Sequence, residues 1–417
     1  MEEKKLVPKL RFPGFTEPWE QRKLGDYLVV SYLKNFEGKY DKEDVLSVSG
    51  DYGIVNQIDF QGRSFAGKSV LNYGIVGMGD IVYTKSPLKK NPFGIIKTNK
   101  LNSGIVSTLY AIYTPKKNCN AIFVEQYFEL DSRLNEYLKP LVNKGAKNDM
   151  KVSSEKALDG NIIFPAIEEQ KRISAFLEFF GRYITLHQRK LEHLKLKKKS
   201  LLQKLFPKEG EVYPELRFPG FTDPWEQRKL EGLCDLFTDG DWIESKDQCG
   251  SGVRLIQTGN IGVTEYLDKP DNKKWVSDET FGLLHCKEVF PGDILISRLP
   301  EPAGRACIVP HLGTKMITAV DCTIVRTSTN TNASFLVQYL SSQPYFNEVN
   351  KCLAGGTRQR ISRSNLAEFK VLVPSEKAEQ DIIGKLFDKF DNLITLHQRK
   401  LEHLQLLKKA LLQQLFV

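Results

Sequence analysis

The sequence predicts an α+β fold: two strand-rich bodies in tandem, separated by an antiparallel coiled coil of two long helices, related by internal duplication with pseudo-twofold symmetry. Three observations carry this. Long strings recur at a nearly constant offset, the stretches between them read as short strands broken by Gly and Pro, and each copy closes on apolar residues spaced by threes and fours.

The duplication comes first. "PKLRFPGFTEPWEQRKL" at 8–24 returns as "PELRFPGFTDPWEQRKL" at 214–230, and "ITLHQRKLEHLKLKKKSLLQKLF" at 184–206 returns as "ITLHQRKLEHLQLLKKALLQQLF" at 394–416. Weaker matches keep the same order in between. "GDIVYTKSP" (79–87) faces "GDILISRLP" (292–300), "NAIFVEQYF" (120–128) faces "NASFLVQYL" (332–340), and "EQKRI" (169–173) faces "EQDII" (379–383). Collinear anchors from end to end imply one repeated unit of about 200 residues. Residues 28–76 and 231–289 share little, so one set of positions keeps a common task and the other serves two different ones.

Within each copy a turn-rich opening segment (Pro13, Gly14, Pro18) leads to an anchoring Trp19. Strands follow, in the second copy "VRLIQTGNIG", "DILIS", "RACIV" and "TIVRT". One amphipathic helix is expected over "SFLVQYLSSQPYFNEVNKCL", then a glycine loop and a strand ending at Pro165 or Pro374. The closing helix shows a 3.5-residue repeat from Ile173 through Ile184, His187, Leu191, Leu194 and Leu201, matched from Ile383 through Ile394, His397, Leu401, Leu404 and Leu411. That period marks a coiled-coil seam, on a rod of roughly 48 Å. The expected domains are 1–165 and 208–375 for the bodies with their opening segments, and 166–207 and 376–417 for the helices.

Composition narrows the class. A chain of 417 residues is long for one core. No apolar run approaches the roughly 18–20 residues of a membrane span, and "MEEKKLVPKL" lacks the apolar stretch of a signal peptide. Seven cysteines, with no C-x-x-C pair, read as reduced thiols of a cytoplasmic protein rather than a disulfide framework or zinc knuckle. A net charge of +9 permits a nucleic-acid partner without establishing one.

Catalytic motifs fail on inspection. "GRSFAGKS" (62–69) spells a phosphate loop, but "VLNYGIVGMGD" follows it, and glycines at 74, 77 and 79 forbid the helix that such a loop needs. "KNPFG" (90–94) lacks the second proline of an amino-methyltransferase loop. Acid-x-Lys triplets such as Glu37-Gly38-Lys39 and Glu244-Ser245-Lys246 are too permissive to signal a nuclease. Histidines 187 and 193, like 397 and 403, are six apart and share no metal-binding face. No catalytic, cofactor-binding or metal-ligating residue is therefore assigned. "KLKKKS" (195–200) is a solvated helix face or one that lies along phosphates or a partner.

Basic and amide side chains do cluster on expected loops of both bodies. The first carries Lys85, Lys89, Lys90 and Asn91, then Lys144, Lys147 and Asn148. The second carries Arg298 and Arg305, then Arg358, Gln359, Arg360 and Arg363. These residue types bond base edges in pairs and also hold phosphates.

Two divergent bodies, each opened by "LRFPGF…PWE…KL" and closed by "ITLHQRKLEHL…LLQ.LF", resemble the specificity subunit of type I restriction–modification enzymes along essentially the whole chain. The first copy departs from the pattern at "GAKNDMKVS", where the second has "GGTRQRIS". The resemblance implies two target recognition domains, each reading half of an asymmetric bipartite site in double-stranded DNA. It also implies helices that set the spacer and dock two methyltransferase subunits, with restriction/translocase subunits alongside and no membrane association. S-adenosylmethionine, ATP and Mg would belong to those partners and no cofactor to this chain, a targeting subunit without catalysis of its own. The alternatives are a protein–protein scaffold and a self-contained duplicated nuclease or ATPase, and the latter requires catalytic side chains recurring in both copies.

Overall fold

A computed structural model of the chain describes residues 6–85, 87–88, 90–144, 150–354 and 359–417. The chain forms two compact units, Met1–Gln188 completed by Arg399–Val417, and Arg189–Gln398. Both cuts fall inside the long helices, Ile167–Leu205 and Lys377–Gln414. Each unit thus holds one body, the first part of the helix that follows it, and the last part of the other helix. With 39 and 38 residues, the helices measure about 58 and 57 Å. They exceed the expected length because each begins before its first heptad residue.

The recurring residues build the same frame in each unit. The opening strand Glu20–Lys23 pairs antiparallel with Asn161–Phe164, as Glu226–Lys229 does with Lys370–Val373. Arg11 forks onto buried Glu169 through two bonds of 2.8 and 2.7 Å, and Arg217 onto buried Glu379 through two of 2.9 Å. The next residue along, Gln170 or Gln380, accepts from the backbone of Asn120 or Asn332 and donates to the carbonyl of Pro165 or Pro374. Those asparagines in turn cap the helices Ala121–Tyr127 and Ala333–Tyr339, accepting from the amides of Phe123 and Phe335. Every member of this chain of bonds is a residue that the two copies share. Buried polar groups lose heavily when a partner is removed, which accounts physically for the likeness of the copies' ends.

Apolar packing repeats as well. Trp19, 2% exposed, meets Phe123 and Phe416 edge-on, and Trp225, also 2% exposed, meets Phe206 and Phe335. Heptad positions at the helix ends therefore serve the body cores. Ile173, Leu177, Leu412 and Leu415 join the first core with Leu411 packed against it, and Leu205, Ile383 and Phe387 join the second with Leu201 packed against it. Nearer the middle, Ile184, His187, Leu191, Leu401 and Leu404 are buried, while Leu194, Ile394 and His397 are half-buried. In the first unit Lys400 lies over the Tyr183 ring at 5.4 Å; in the second Lys198 bonds Asp391 at 2.5 Å. One helix thus rises in number as the other falls, which makes them antiparallel.

Each body carries the same four-stranded antiparallel sheet. Its order is Leu28–Val30, Tyr110–Pro115, Ile81–Thr84, Ile96–Thr98 in the first unit and Cys234–Asp239, Cys322–Thr327, Ile294–Ser297, Ala306–Ile308 in the second. The "GDI" that leads into the third of these strands makes one turn twice. Gly79 (φ +91°) and Gly292 (φ +93°) take the left-handed backbone, and Asp80 and Asp293 accept from the amides of Gly77 and Phe290. Beyond this sheet the bodies part. The second unit adds another four-stranded sheet (Gln248–Cys249, Lys274–Val276, Val253–Ile256, Met316–Thr318), with a parallel pair between its last two strands. The first has two antiparallel pairs, Leu46–Ser49 with Gly53–Asn56 and Gly74–Val76 with Gly104–Val106, joined by a parallel bridge between Val45 and Ile105. Sequence divergence and architectural divergence fall in the same places.

One expectation needs adjusting. The single helix over 334–353 is two, Ala333–Tyr339 and Gln343–Lys351, because Ser342 caps the second and Pro344 sits in its first turn. Leu201 and Leu411, read as seam residues, pack on clusters that hold residues of both a body and the long helices. After Ser69 the chain runs without helix into the strand Gly74–Val76. Among the described residues no helix is long and apolar enough to cross a membrane, and no group of His, Cys, Asp and Glu could hold a metal ion.

All seven cysteines are free. Burial pushes the thiols of Cys119, Cys234, Cys307 and Cys322 up to about 12, which leaves them protonated and inert at neutral pH. Exposed Cys249 should give the fast phase with Ellman's reagent on native protein. A fast phase that survives Cys249→Ser would contradict this burial pattern.

Candidate nucleic-acid interface

In the shared sheet the first and third strands run the same way, so their ends lie on one side. In the first unit that end gathers Ser31 and Tyr32 after the first strand, Lys85 after the third, and residues 153–155. Tyr32 bonds Glu155 through its hydroxyl, Lys85 Nζ donates to Ser154 Oγ at 3.2 Å, and the Tyr113 hydroxyl donates to the Ser154 carbonyl at 3.0 Å. Burial lowers the pKa of Lys85 against the pull of Glu155. In the second unit the same end brings Arg298 Nε within 3.5 Å of Asp239, the last residue of the first strand. The amide of Ile361 donates to the Arg298 carbonyl, and Arg360 bonds Ala354 through both backbone groups. The counterpart in the first unit is the antiparallel pair of Asn143–Lys144 with Met150–Lys151.

The predicted contact residues divide into two groups. Lys90, Gln359, Arg360 and Arg363 are exposed, the last on the helix Arg363–Glu368, whose cap is Ser362. Three others are engaged internally. Asn91 is buried and donates to Asp131 at 2.8 Å. Arg298, 8% exposed, donates to the Val320 carbonyl at 2.6 Å. Arg305 spends its guanidinium on five carbonyls, those of Thr258, Ile261, Leu299, Pro300 and Pro302. A fork filled in this way moulds the 299–302 loop and commits at least four of its five donors to the fold. Lys89, Lys147, Asn148 and Arg358 lie outside the described residues.

Sequence reasoning missed the aromatic residues at this end. Tyr32 and Phe36 are 68% and 67% exposed, and Trp242 is 71% exposed. They stand in the divergent stretches, where no repeat draws attention to them. The usable signal was a large aromatic soon after the first strand of the sheet in both copies.

Two stretches, residues 16–196 and 222–406, match the type I restriction modification DNA specificity domain. The chain belongs to that family. Each copy of the specificity domain takes in one body and most of the helix that follows it. The chain is 24% identical over 266 residues to the type I restriction enzyme MjaVIII specificity subunit of Methanocaldococcus jannaschii, covering 60% of each protein. It is 25% identical over 304 residues to the putative type I restriction enzyme MjaX specificity subunit of the same organism, covering 70% of this chain and 65% of that one. The matched region thus spans 60 to 65% of the length of these curated relatives. Among solved structures, the S subunit of a type I restriction–modification system from M. genitalium shares the fold, with a TM-score of 0.58 at 13% identity over 99% of both chains.

Proposed function

We propose that this chain is the DNA-recognition subunit of a type I restriction–modification complex, acting in the cytoplasm on double-stranded DNA. Each specificity domain, with the bodies at about 1–165 and 208–375, reads one half of a bipartite site. Because the bodies differ, the half-sites differ and the target is asymmetric. The helices, about 166–207 and 376–417, set the gap between half-sites through a seam of Ile184, His187, Leu191, Leu194, Leu201, Ile394, His397, Leu401, Leu404 and Leu411. The shared frames offer equivalent surfaces to two methyltransferase subunits. Those subunits and the restriction/translocase subunits carry S-adenosylmethionine, ATP and Mg, and the present chain targets them without catalysis of its own.

The supporting observation is that one sheet end recurs in both units, carrying exposed Lys90 in one and Gln359, Arg360 and Arg363 in the other. Such residues on loops suit phosphates and base edges. The self-contained enzyme fares worse, since Arg11, Glu169 and Gln170, which recur with their mates in the second copy, are committed to the frame.

The test is methylome sequencing of cells expressing the chain with its methyltransferase partner. Inserting one heptad into each helix should lengthen the unmethylated gap while both half-sites stay the same. An unchanged gap would refute the spacer role, and binding indifferent to salt would refute DNA recognition.

A further inference from the structure

The strand ends that form the candidate interface carry one feature that neither the basic loops nor the frame explains. Trp242 is 71% exposed, whereas Trp19 and Trp225 are buried and Trp275 is half-buried. It follows the first strand of the second unit's shared sheet, past Asp239. At the matching place in the first unit, past Val30, stand Tyr32, Leu33 and Phe36, each at least 67% exposed. The register sets Val30 level with Phe237, since Ile81 and Ile294 of the "GDI" strands oppose Tyr113 and Val325, which oppose Val30 and Phe237 in turn. Counted along the chain from there, Tyr32 falls level with Asp239, and Phe36 lies one residue past the level of Trp242.

The surroundings of Trp242 are charged. Asp239 has Arg298 at 3.5 Å, Asp241 has Lys287 at 3.4 Å, and Glu244 has Lys246 at 3.0 Å while accepting from the indole Nε1 at 3.4 Å. The indole is therefore set among ion pairs, with the Asp247 carboxylate accepting from the Glu244 amide beside them. A large aromatic is left in water after the first strand of the shared sheet in both bodies.

The pattern of change says what kind of partner it meets. Two copies of one protein partner require the same residues twice. A pair of unlike DNA half-sites requires the same class of side chain with changed identity. The aromatic positions follow the second rule. We infer that Trp242 in the second unit, and Tyr32 with Phe36 in the first, are specificity-determining residues that meet the apolar surfaces of the DNA bases, thymine methyl or an exposed base face, in their respective half-sites. This rests on the DNA-recognition reading above.

The experiment uses the chain co-expressed with its methyltransferase partner. Methylome sequencing defines the site, and a fluorescent duplex carrying that site serves as the probe. Trp242→Ala should weaken binding to it about tenfold, the low-to-middle range for loss of one aromatic–base contact. It should also relax the methylated motif in one half-site only. Trp242→Phe should recover most of the affinity and abolish the DNA-induced change in intrinsic fluorescence. Unchanged affinity and an unchanged motif in Trp242→Ala would overturn the inference and leave DNA recognition standing. So would weakened assembly with the methyltransferase at constant motif, which would make this a protein-docking residue. Failure of the unsubstituted complex to bind duplex DNA in a salt-dependent way would sink both.

Discussion

Phe416→Ala should destabilise the first unit by about 3–5 kcal/mol, the usual cost of emptying a large aromatic site. The ring sits 5.2 Å from Phe123, 5.8 Å from Tyr127 and 6.4 Å from Trp19, with the Arg133 guanidinium 5.1 Å from its centre. All of these lie roughly 280 to 400 positions earlier in the chain. Hydrogen exchange read by mass spectrometry is the measurement. Protection should fall in Ile81–Thr84, Tyr110–Pro115 and Ala121–Tyr127, while Ile294–Ser297 of the other unit keeps its protection. A uniform loss across both units, or none, would show that Phe416 does not belong to the first core in solution.

Glu379→Ala should cost the second unit about as much, roughly 3–5 kcal/mol, by stranding Arg217 with no carboxylate. The Glu379 side chain is 1% exposed and that of Arg217 15%, so water restores little of what is lost. The double variant Arg217→Met with Glu379→Leu should recover most of the stability, because the cost lies in the uncompensated charge rather than in the absence of a pair. Urea unfolding of the two variants provides the comparison. If the double variant proves no better than the single one, the ion pair contributes through something other than charge neutralisation.

The frame was legible in the sequence because its residues repeat. Arg11 and Arg217, Glu169 and Glu379, and Trp19 and Trp225 could all be marked before any coordinates, although nothing in the string paired arginine with glutamate across some 160 positions. The heptads gave the helices their existence and antiparallel partners. They could not show that Leu201 and Leu411 also pack on the body cores, since a core and a seam ask for the same leucine. At the candidate interface, legibility was poorer. Arg305 and Asn91 were singled out as charged or amide residues on loops, and only the geometry reveals that their donors are spent on carbonyls and on Asp131. Trp242 was passed over because it stands in a stretch with no counterpart string.

The interleaving of the units has a temporal consequence during translation. The second unit is one continuous stretch, Arg189–Gln398, and has everything its core requires once that stretch leaves the ribosome. The first is split, and its core lacks Leu412, Leu415 and Phe416 until the codons for those residues are read. At ordinary elongation speeds of 5–20 residues per second, that leaves the earlier-made half unfinished for roughly 10–40 s. A molecule that looks even-handed in its repeats is thus born lopsided, with the half synthesised first the last to close.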